Sequence, residues 1–230
     1  MGHIRLSGNP VIDVIVRRSA RARRLSLRVS SLDGRVTLTL PTSVSEREGA
    51  AFVRDKEDWL RENLAKQGMP VPVAIGATVP VEGVPLVVRS GAGRSVRIEG
   101  NALLVPGPEE RVAARLKGWL RTRARDRLAE ASDRYAAALG RPYSRLTLRD
   151  TRSRWGSCTH DGGLMYSWRL ILAWPEVLDY VAAHEVAHLA EMNHSPAFWA
   201  QVERLYGDWK PSRNWLRKHG HELHRYRFDD

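Results

Sequence analysis

The chain has a single cysteine, Cys158, among its 230 residues. An intramolecular disulfide is therefore impossible, and nothing in the sequence indicates an oxidising compartment. The chain also lacks any uninterrupted apolar run near the roughly 18 residues of a membrane helix, and Met1–Leu6 contains no apolar signal-peptide region. We therefore expect a cytoplasmic protein with no membrane partner.

Lysine is also scarce, with 5 lysines against 32 arginines, yet the formal net charge is +11. Eight arginines lie in Met1–Leu40 and seven basic residues in Arg111–Arg127. These clusters are either solvated faces of a chain that favours arginine, or an arginine-rich surface that binds nucleic acid or another polyanion. Trp119 is the single aromatic residue within the two clusters, which argues against a stacking platform for single strands.

The most informative motif is His184-Glu185-x-x-His188, followed by His194. Histidines four positions apart lie on one face of a helix and can hold one metal ion, with the intervening glutamate placed as a general base toward water. His194 comes ten residues after His184, far enough for the helix to end and the chain to return a third ligand. The pattern predicts a zinc hydrolase site with His184, His188 and His194 as metal ligands and Glu185 as catalytic base. Ni²⁺, Co²⁺ or Mn²⁺ could occupy the same ligands.

The spacing of the three histidines matches that of metzincin proteases, but two metzincin features are missing. Glu191 stands where they carry glycine, and no methionine follows His194. We therefore exclude a metzincin and expect Asn193 to adopt the positive φ that ends the helix.

The segments around the motif carry a more specific resemblance. Arg152–Cys158 reads Arg-Ser-Arg-Trp-Gly-Ser-Cys, and Met192–Trp199 reads Met-Asn-His-Ser-Pro-Ala-Phe-Trp. Together they resemble the YgjP-like family of predicted metal-dependent hydrolases, relatives of the SprT-like zincins. The resemblance covers most of the chain and is sharpest from about Leu146 to His219. It implies a zincin-like fold, with the three histidines as zinc ligands and Glu185 as base.

The resemblance leaves the substrate open. Such proteins are commonly classed as metallopeptidases by fold, while some have been described as nucleotide pyrophosphohydrolases. We favour a metallopeptidase acting on peptide or protein. The alternatives are a metal-dependent nucleoside triphosphate pyrophosphohydrolase or phosphohydrolase, and a nucleic-acid-binding module with a structural metal. A long groove along an edge strand would favour peptide, and a closed pocket walled by arginines would favour nucleotide.

A hydrolase also needs an electrophile that stabilises the developing oxyanion. Arg152, Arg154 and Tyr166 are the candidates for transition-state or substrate contacts, and the sequence does not choose among them. A structural alternative is that the arginines near Trp155 form salt bridges with Asp150, Asp179 or Glu191.

Two expectations concern residues around the ligands. The carboxylates of Glu191 and Asp208 are candidates for orienting a ligand histidine through its second ring nitrogen. His219, His221 and His224 are expected to belong to a solvated tail.

The predicted fold class is α+β, with a zincin-like domain in which the His-Glu-x-x-His helix lies beside a small sheet. Residues 1–106 are expected to form a β-rich part with one long helix, Val44–Lys66, and residues 107–230 the metal-binding catalytic domain. A second long helix is predicted over Glu109–Leu139. Leu164–Leu170 is expected to be an edge strand that pairs with an extended substrate.

Overall fold

The computed structural model describes residues 2–30, 34–65 and 70–228. The fold is mixed α+β, and the chain forms two compact units, Met1–Met69 and Pro70–Asp230. This division differs from the boundary expected at residue 106. Val88 and Leu103, which precede that boundary, share one hydrophobic core with Leu116 and Leu120. Residues 70–106 therefore belong to the second compact unit.

The first unit consists of a four-stranded sheet and two helices. Its elements are β1 (Gly2–Leu6), β2 (Ile12–Ser19), β3 (Ser26–Val29), β4 (Val36–Pro41), α1 (Glu46–Asp55) and α2 (Glu57–Ala65). The strand order is β1-β2-β4-β3, with β2 and β4 parallel and the other pairs antiparallel. The turn sequence Leu32-Asp33-Gly34 between two β-like segments predicts a hairpin. The antiparallel pairing of β3 with β4 confirms it, although Leu32 and Asp33 lie outside the described residues.

The single helix predicted over Val44–Lys66 is wrong, because α1 and α2 are separate helices. Ser45 caps α1 by accepting a hydrogen bond from the backbone N–H of Glu48, and the Glu48 carboxylate returns to Ser45 in a capping box. Lys56 ends α1 with φ −99° and ψ 14°. Lys66 lies outside the described residues.

The second unit holds the remaining elements. Its strands are β5 (Val71–Pro72), β6 (Thr78–Val81), β7 (Val84–Gly91), β8 (Arg97–Glu99), β9 (Ala102–Pro106), β10 (Arg145–Arg149), β11 (Gly156–Cys158), β12 (Gly163–Ser167) and β13 (Tyr226–Arg227). Its helices are α3 (Val112–Leu139), α4 (Pro175–Ala187), α5 (Pro196–Tyr206) and α6 (Lys210–His219). The strands form sheets β6-β7-β9-β8 and β10-β12-β11 and the pair β13-β5.

The long helix α3 confirms the prediction for this region. A 3-10 turn over Glu109–Arg111 leads into it, and Gly140 ends it with φ 75°, a left-handed conformation that glycine adopts without strain. Its buried leucines, among them Leu116, Leu120 and Leu128, pack into the core of the unit.

The sheet beside α4 corrects one expectation. β12 pairs in parallel with β10 and antiparallel with β11, so it is the central strand and not an edge. The chain then leaves the sheet in a 3-10 helix over Trp168–Leu172, which contributes Trp168, Leu170 and Ile171 to the core. The edge strand next to α4 is therefore β11.

Helix α4 begins with Trp174 as N-cap and Pro175 at the first helical position, where proline is favoured. It is buried on most sides, through Val177, Val181 and Val186 among others. No helix in the described parts of the chain is long and apolar enough to cross a membrane.

Candidate metal centre

The His184-Glu185-x-x-His188 motif lies at the C-terminal end of α4. His184 and Glu185 lie in its last turn and His188 is its C-cap, so both histidines emerge from one rigid segment. The chain then turns back, and His194 lies just before Ser195, which caps α5 by accepting from the N–H of Phe198. The expected positive φ at Asn193 is wrong, since Glu82 is the sole non-glycine with positive φ among the described residues. Asn193 contributes its side chain instead, which accepts from the N–H of Ser195.

The three histidines converge as a metal site requires. One ring nitrogen of each lies within 4.8 Å of the others, and Nε2 of His184 is 3.1 Å from Nε2 of His194. Tetrahedral zinc with Zn–N bonds of about 2.0–2.1 Å separates its ligand nitrogens by roughly 3.3 Å. The donor set therefore fits a divalent cation such as zinc.

The protonation of the ligands also suits a metal. Burial lowers the pKa of His184 to about 3 and also lowers the pKa of His188, so both rings are neutral at pH 7. Nδ1 of His188 lies 2.9 Å from the main-chain oxygen of Glu191, and as a donor to this carbonyl it leaves Nε2 with its lone pair. The Glu191 contact thus comes from the backbone and not from the expected carboxylate. Asp208 instead accepts from the N–H of Lys210.

An aromatic shell holds the three rings in place. Phe198 contacts all three, with ring centroids 4.3 Å from His188, 4.8 Å from His194 and 4.9 Å from His184. Trp199 stacks on His194 at 5.8 Å. Because these residues belong to the first turn of α5, the Ser-Pro start of that helix fixes the third ligand as well.

Glu185 is buried, with only 6% of its surface exposed. Burial raises the pKa of its carboxyl to about 8, while the positive charge of Arg154 opposes this rise. Gly156 of β11 allows this position, because a Cβ built on it would lie 2.5 Å from Oε1 of Glu185. The edge strand thus runs directly over the candidate base.

An open cleft of about 430 Å³ joins the edge strand to the histidines. Its lining consists of Ser153, Arg154, Gly156, Ser157, Cys158, His184, Glu185, His188, Met192 and His194. Beyond β11 no further strand pairs in the described part of the chain, so its outer main-chain groups can receive an extended chain. Burial raises the pKa of the Cys158 thiol to about 11, which keeps it protonated.

The three candidate electrophiles have different positions. Arg154 lines the cleft, whereas Arg152 is exposed and does not line it. Tyr166 is fully buried on the inner face of β12, and its hydroxyl lies 3.0 Å from that of Ser132 on α3. A side chain with no exposed surface does not reach a substrate in this conformation, so the structure does not bring Tyr166 to the cleft.

The arginines near Trp155 do not form the salt bridges that were considered with Asp150 and Asp179. Asp150 makes a bidentate pair with Arg169, and Asp179 pairs with Arg134. Both partners are arginines from elsewhere in the fold.

Two residues near the site are not apparent from the sequence. Tyr180, one helical turn before His184, contacts its ring at 5.8 Å, and Arg213 of α6 lies over the rings of Trp199 and Trp209. Both line a second opening beside Glu185 and His184, together with Arg154. The i, i+4 spacing of Tyr180 and His184 was a usable signal, while Arg213 is brought in only by tertiary packing.

Hydrogen bonds of Arg169 and the packing of Trp155 hold the loop that precedes β11. Arg169 donates to Asp150 at 2.7 and 3.1 Å and to the main-chain oxygens of Leu223 and Tyr226. Trp155 packs on His224 at 5.2 Å, and His224 is only 4% exposed. The expectation that His224 belongs to a solvated tail is therefore wrong.

The fold and the three-histidine cluster define a mixed α+β protein with a candidate metal centre. The chain belongs to the YgjP-like family: the family model described as "YgjP-like, metallopeptidase domain" matches residues 23–219. This confirms the family that the motifs indicated.

Comparison with individual proteins adds little. The crystal structure of the metallopeptidase zymogen of Pyrococcus abyssi abylysin is 19% identical and covers 39% of this chain and 93% of its own, with a TM-score of 0.36. No curated protein matches the chain significantly.

Proposed function

We propose that the protein is a zincin-like, zinc-dependent peptidase in which His184, His188 and His194 hold the metal and Glu185 is the catalytic base. The observation that carries this proposal is the position of β11. It is an edge strand that borders the open cleft and approaches Glu185 closely at Gly156. An extended peptide paired with β11 would pass its main chain across the base and the three histidines.

The metal would be held by neutral imidazoles, which favour zinc, although Ni²⁺, Co²⁺ or Mn²⁺ can use the same donors. When bound, zinc supplies Lewis-acid chemistry that makes water nucleophilic near neutral pH and polarises the scissile carbonyl. The known membership of a metallopeptidase-domain family supports this assignment.

The remaining chemistry belongs to side chains of this chain. Glu185 would accept the proton of the attacking water and donate it to the leaving amine. The charge of a bound divalent cation, together with that of Arg154, would lower the raised pKa of its carboxyl and hold it ionised as a base. Arg154 lines the cleft and can stabilise the developing oxyanion through its N–H groups. Tyr180 and Arg213 line the second opening beside Glu185 and are a further pair of donors available there.

The shape of the cleft supports a peptide over a nucleotide. A nucleotide hydrolysed at the metal would need several arginines around its phosphates inside the cleft, whereas the cleft is open and Arg154 is the arginine in its lining. Arg145 and Arg149 line a separate pocket on the outer face of the sheet. The arginines of Met1–Leu40 lie in the first unit, and their proposed role in nucleic-acid binding stays a prediction.

The substitution Glu185→Gln tests the proposal. It keeps the side-chain shape but removes the base, so we expect zinc content near that of wild type and a loss of peptide cleavage of roughly 100-fold or more. Zinc can be measured by elemental analysis, and cleavage of a denatured protein mixture by mass spectrometry. Glu203→Gln, at an exposed position of α5, is the matched control and should leave both unchanged. Full cleavage by the Glu185→Gln protein would remove Glu185 from the mechanism.

A further inference from the structure

The outer face of the sheet β10-β12-β11 carries a second, cationic pocket. Along β10, Arg145, Thr147 and Arg149 are exposed, while Leu146 and Leu148 alternate with them and pack toward the core. The alternation of the strand thus places two arginines and a threonine on one face of the sheet.

The strand register extends this face toward β11. Thr147 pairs with Met165 of β12, which pairs in turn with Ser157 of β11, so the three residues lie side by side across the sheet. They contribute to a pocket of about 410 Å³. Its charged and hydroxyl-bearing lining residues are Arg145, Arg149, Arg154, Thr147, Thr151, Ser153, Ser157 and Thr159.

The arginines of this pocket differ in how far they are already neutralised. Arg145 is paired with Asp161 at 2.9 Å. The guanidinium of Arg149 has no hydrogen-bond or ion-pair partner in the described part of the chain. No acidic side chain lines the pocket among the described residues. The pocket therefore retains positive charge, with hydroxyl groups around it that can donate further hydrogen bonds.

This pocket shares lining residues with the metal cleft. Ser153, Arg154 and Ser157 line both, because β11 and the loop before it separate the two openings. A peptide paired with the edge of β11 would therefore lie within side-chain reach of the pocket while its main chain crosses the metal site.

We propose that this pocket binds the carboxylate of an aspartate or glutamate in the peptide substrate. The protein would then prefer to cleave chains that carry an acidic residue at a fixed distance from the scissile bond. Arg149 is the specificity-determining residue, since its unpaired guanidinium can hold a carboxylate in a bidentate pair. Of the three arginines in the pocket, Arg145 is already paired with Asp161. A ligand group with a single negative charge, such as a carboxylate, therefore suits the remaining positive charge. The inference rests on the proposed peptidase function for its biological sense, but the pocket can be tested without turnover.

Direct binding provides that test. Zinc-loaded Glu185→Gln protein would be titrated with two fluorescein-labelled ten-residue peptides. The two peptides have the same sequence except that one carries glutamate wherever the other carries glutamine. We expect the glutamate peptide to bind at least five-fold more tightly. Adding Arg149→Gln should abolish this preference, and Arg149→Glu should reverse it in favour of a lysine peptide. Arg121→Gln, an exposed arginine on α3 outside the pocket, should leave the preference unchanged.

A cleavage-site profile of wild type on a peptide library separates this inference from the proposed function. Enrichment of acidic residues at one position, lost in Arg149→Gln, supports both. Cleavage without such enrichment, together with equal binding of the two peptides, overturns the pocket assignment but leaves the peptidase. No cleavage with intact preference for the glutamate peptide overturns the peptidase and keeps the pocket. Inorganic phosphate binding that depends on Arg149, with equal binding of both peptides, would overturn the proposal in favour of a phosphate site.

Discussion

At the scale of single residues, the surroundings of each histidine in the candidate metal centre determine how its ring is oriented. His188 is oriented by a main-chain carbonyl, His184 by the aromatic rings around it, and His194 by the start of α5. His194 is the exposed member of the three, so its side chain contributes least to the core. It is therefore the ligand whose removal separates metal binding from folding most cleanly.

We expect His194→Ala to weaken zinc binding by roughly 100-fold or more while the metal-free protein keeps its thermal stability. Two histidines on one helix remain, but the third donor is lost. Zinc affinity can be measured by competition with a chromophoric chelator. His160→Ala, at an exposed loop position outside the cluster, is the control, and equal zinc affinity in the two variants would exclude His194 as a ligand.

At the scale of elements, the contact between β11 and α4 determines where the base points. Gly156 is the point of closest approach, and its replacement would bring a Cβ against both Oε1 and Cγ of Glu185. The backbone there requires no positive φ, so the effect of a larger residue is purely spatial. The edge strand therefore positions the carboxylate and is also the proposed site for the substrate.

We expect Gly156→Ala to lower kcat by at least about ten-fold, because the carboxylate of Glu185 must move from its position near the attacking water. Zinc affinity should stay within a few fold, since the atoms nearest to the added Cβ belong to Glu185 and not to the histidines. Steady-state kinetics and zinc titration measure both effects. Gly118→Ala, where a Cβ meets no atom within 4 Å, should leave kcat unchanged; an unaffected kcat in Gly156→Ala would contradict the positioning role.

The elements also show what the sequence can and cannot predict. The convergence of His184, Glu185 and His188 can be predicted because they lie within about one helical turn, so their geometry follows from helix periodicity. The role of β12 was mistaken because an apolar run does not reveal which strands flank it. The inward orientation of Tyr166 could not be predicted for the same reason. Arg213 could not be predicted either, because it reaches the site only through the packing of α6. The Ser45–Glu48 capping box, by contrast, was visible in the sequence and would have corrected the start of α1.

At the scale of the whole second unit, the loop before the edge strand is tied to the C-terminal residues. The Arg169–Asp150 pair and the packing of Trp155 on His224 connect segments far apart in sequence. Burial lowers the pKa of His224 to about 4, and positive charge adds to the effect. The charged residues that act on it are Arg169, Asp150, Arg152 and Arg227, of which only Asp150 opposes the shift.

This shift predicts how acid affects folding. The unfolded chain binds a proton at His224 near pH 6.5, whereas the folded protein resists it until about pH 4, so stability falls as the pH is lowered between these values. Denaturant unfolding of metal-free protein should show this loss, and His224→Gln should remove roughly 3 kcal/mol of it. Identical pH dependence in the two proteins would show that His224 is not held neutral by the fold.

The most direct test of the account is a paired activity assay on protein of known zinc content, wild type beside Glu185→Gln. One sample would receive denatured protein and peptides, with and without DNA, and the other nucleoside triphosphates. We predict new peptide termini in the first sample that disappear with Glu185→Gln, and no release of phosphate or pyrophosphate in the second. Nucleotide hydrolysis that depends on Glu185, without peptide cleavage, would contradict the peptidase assignment.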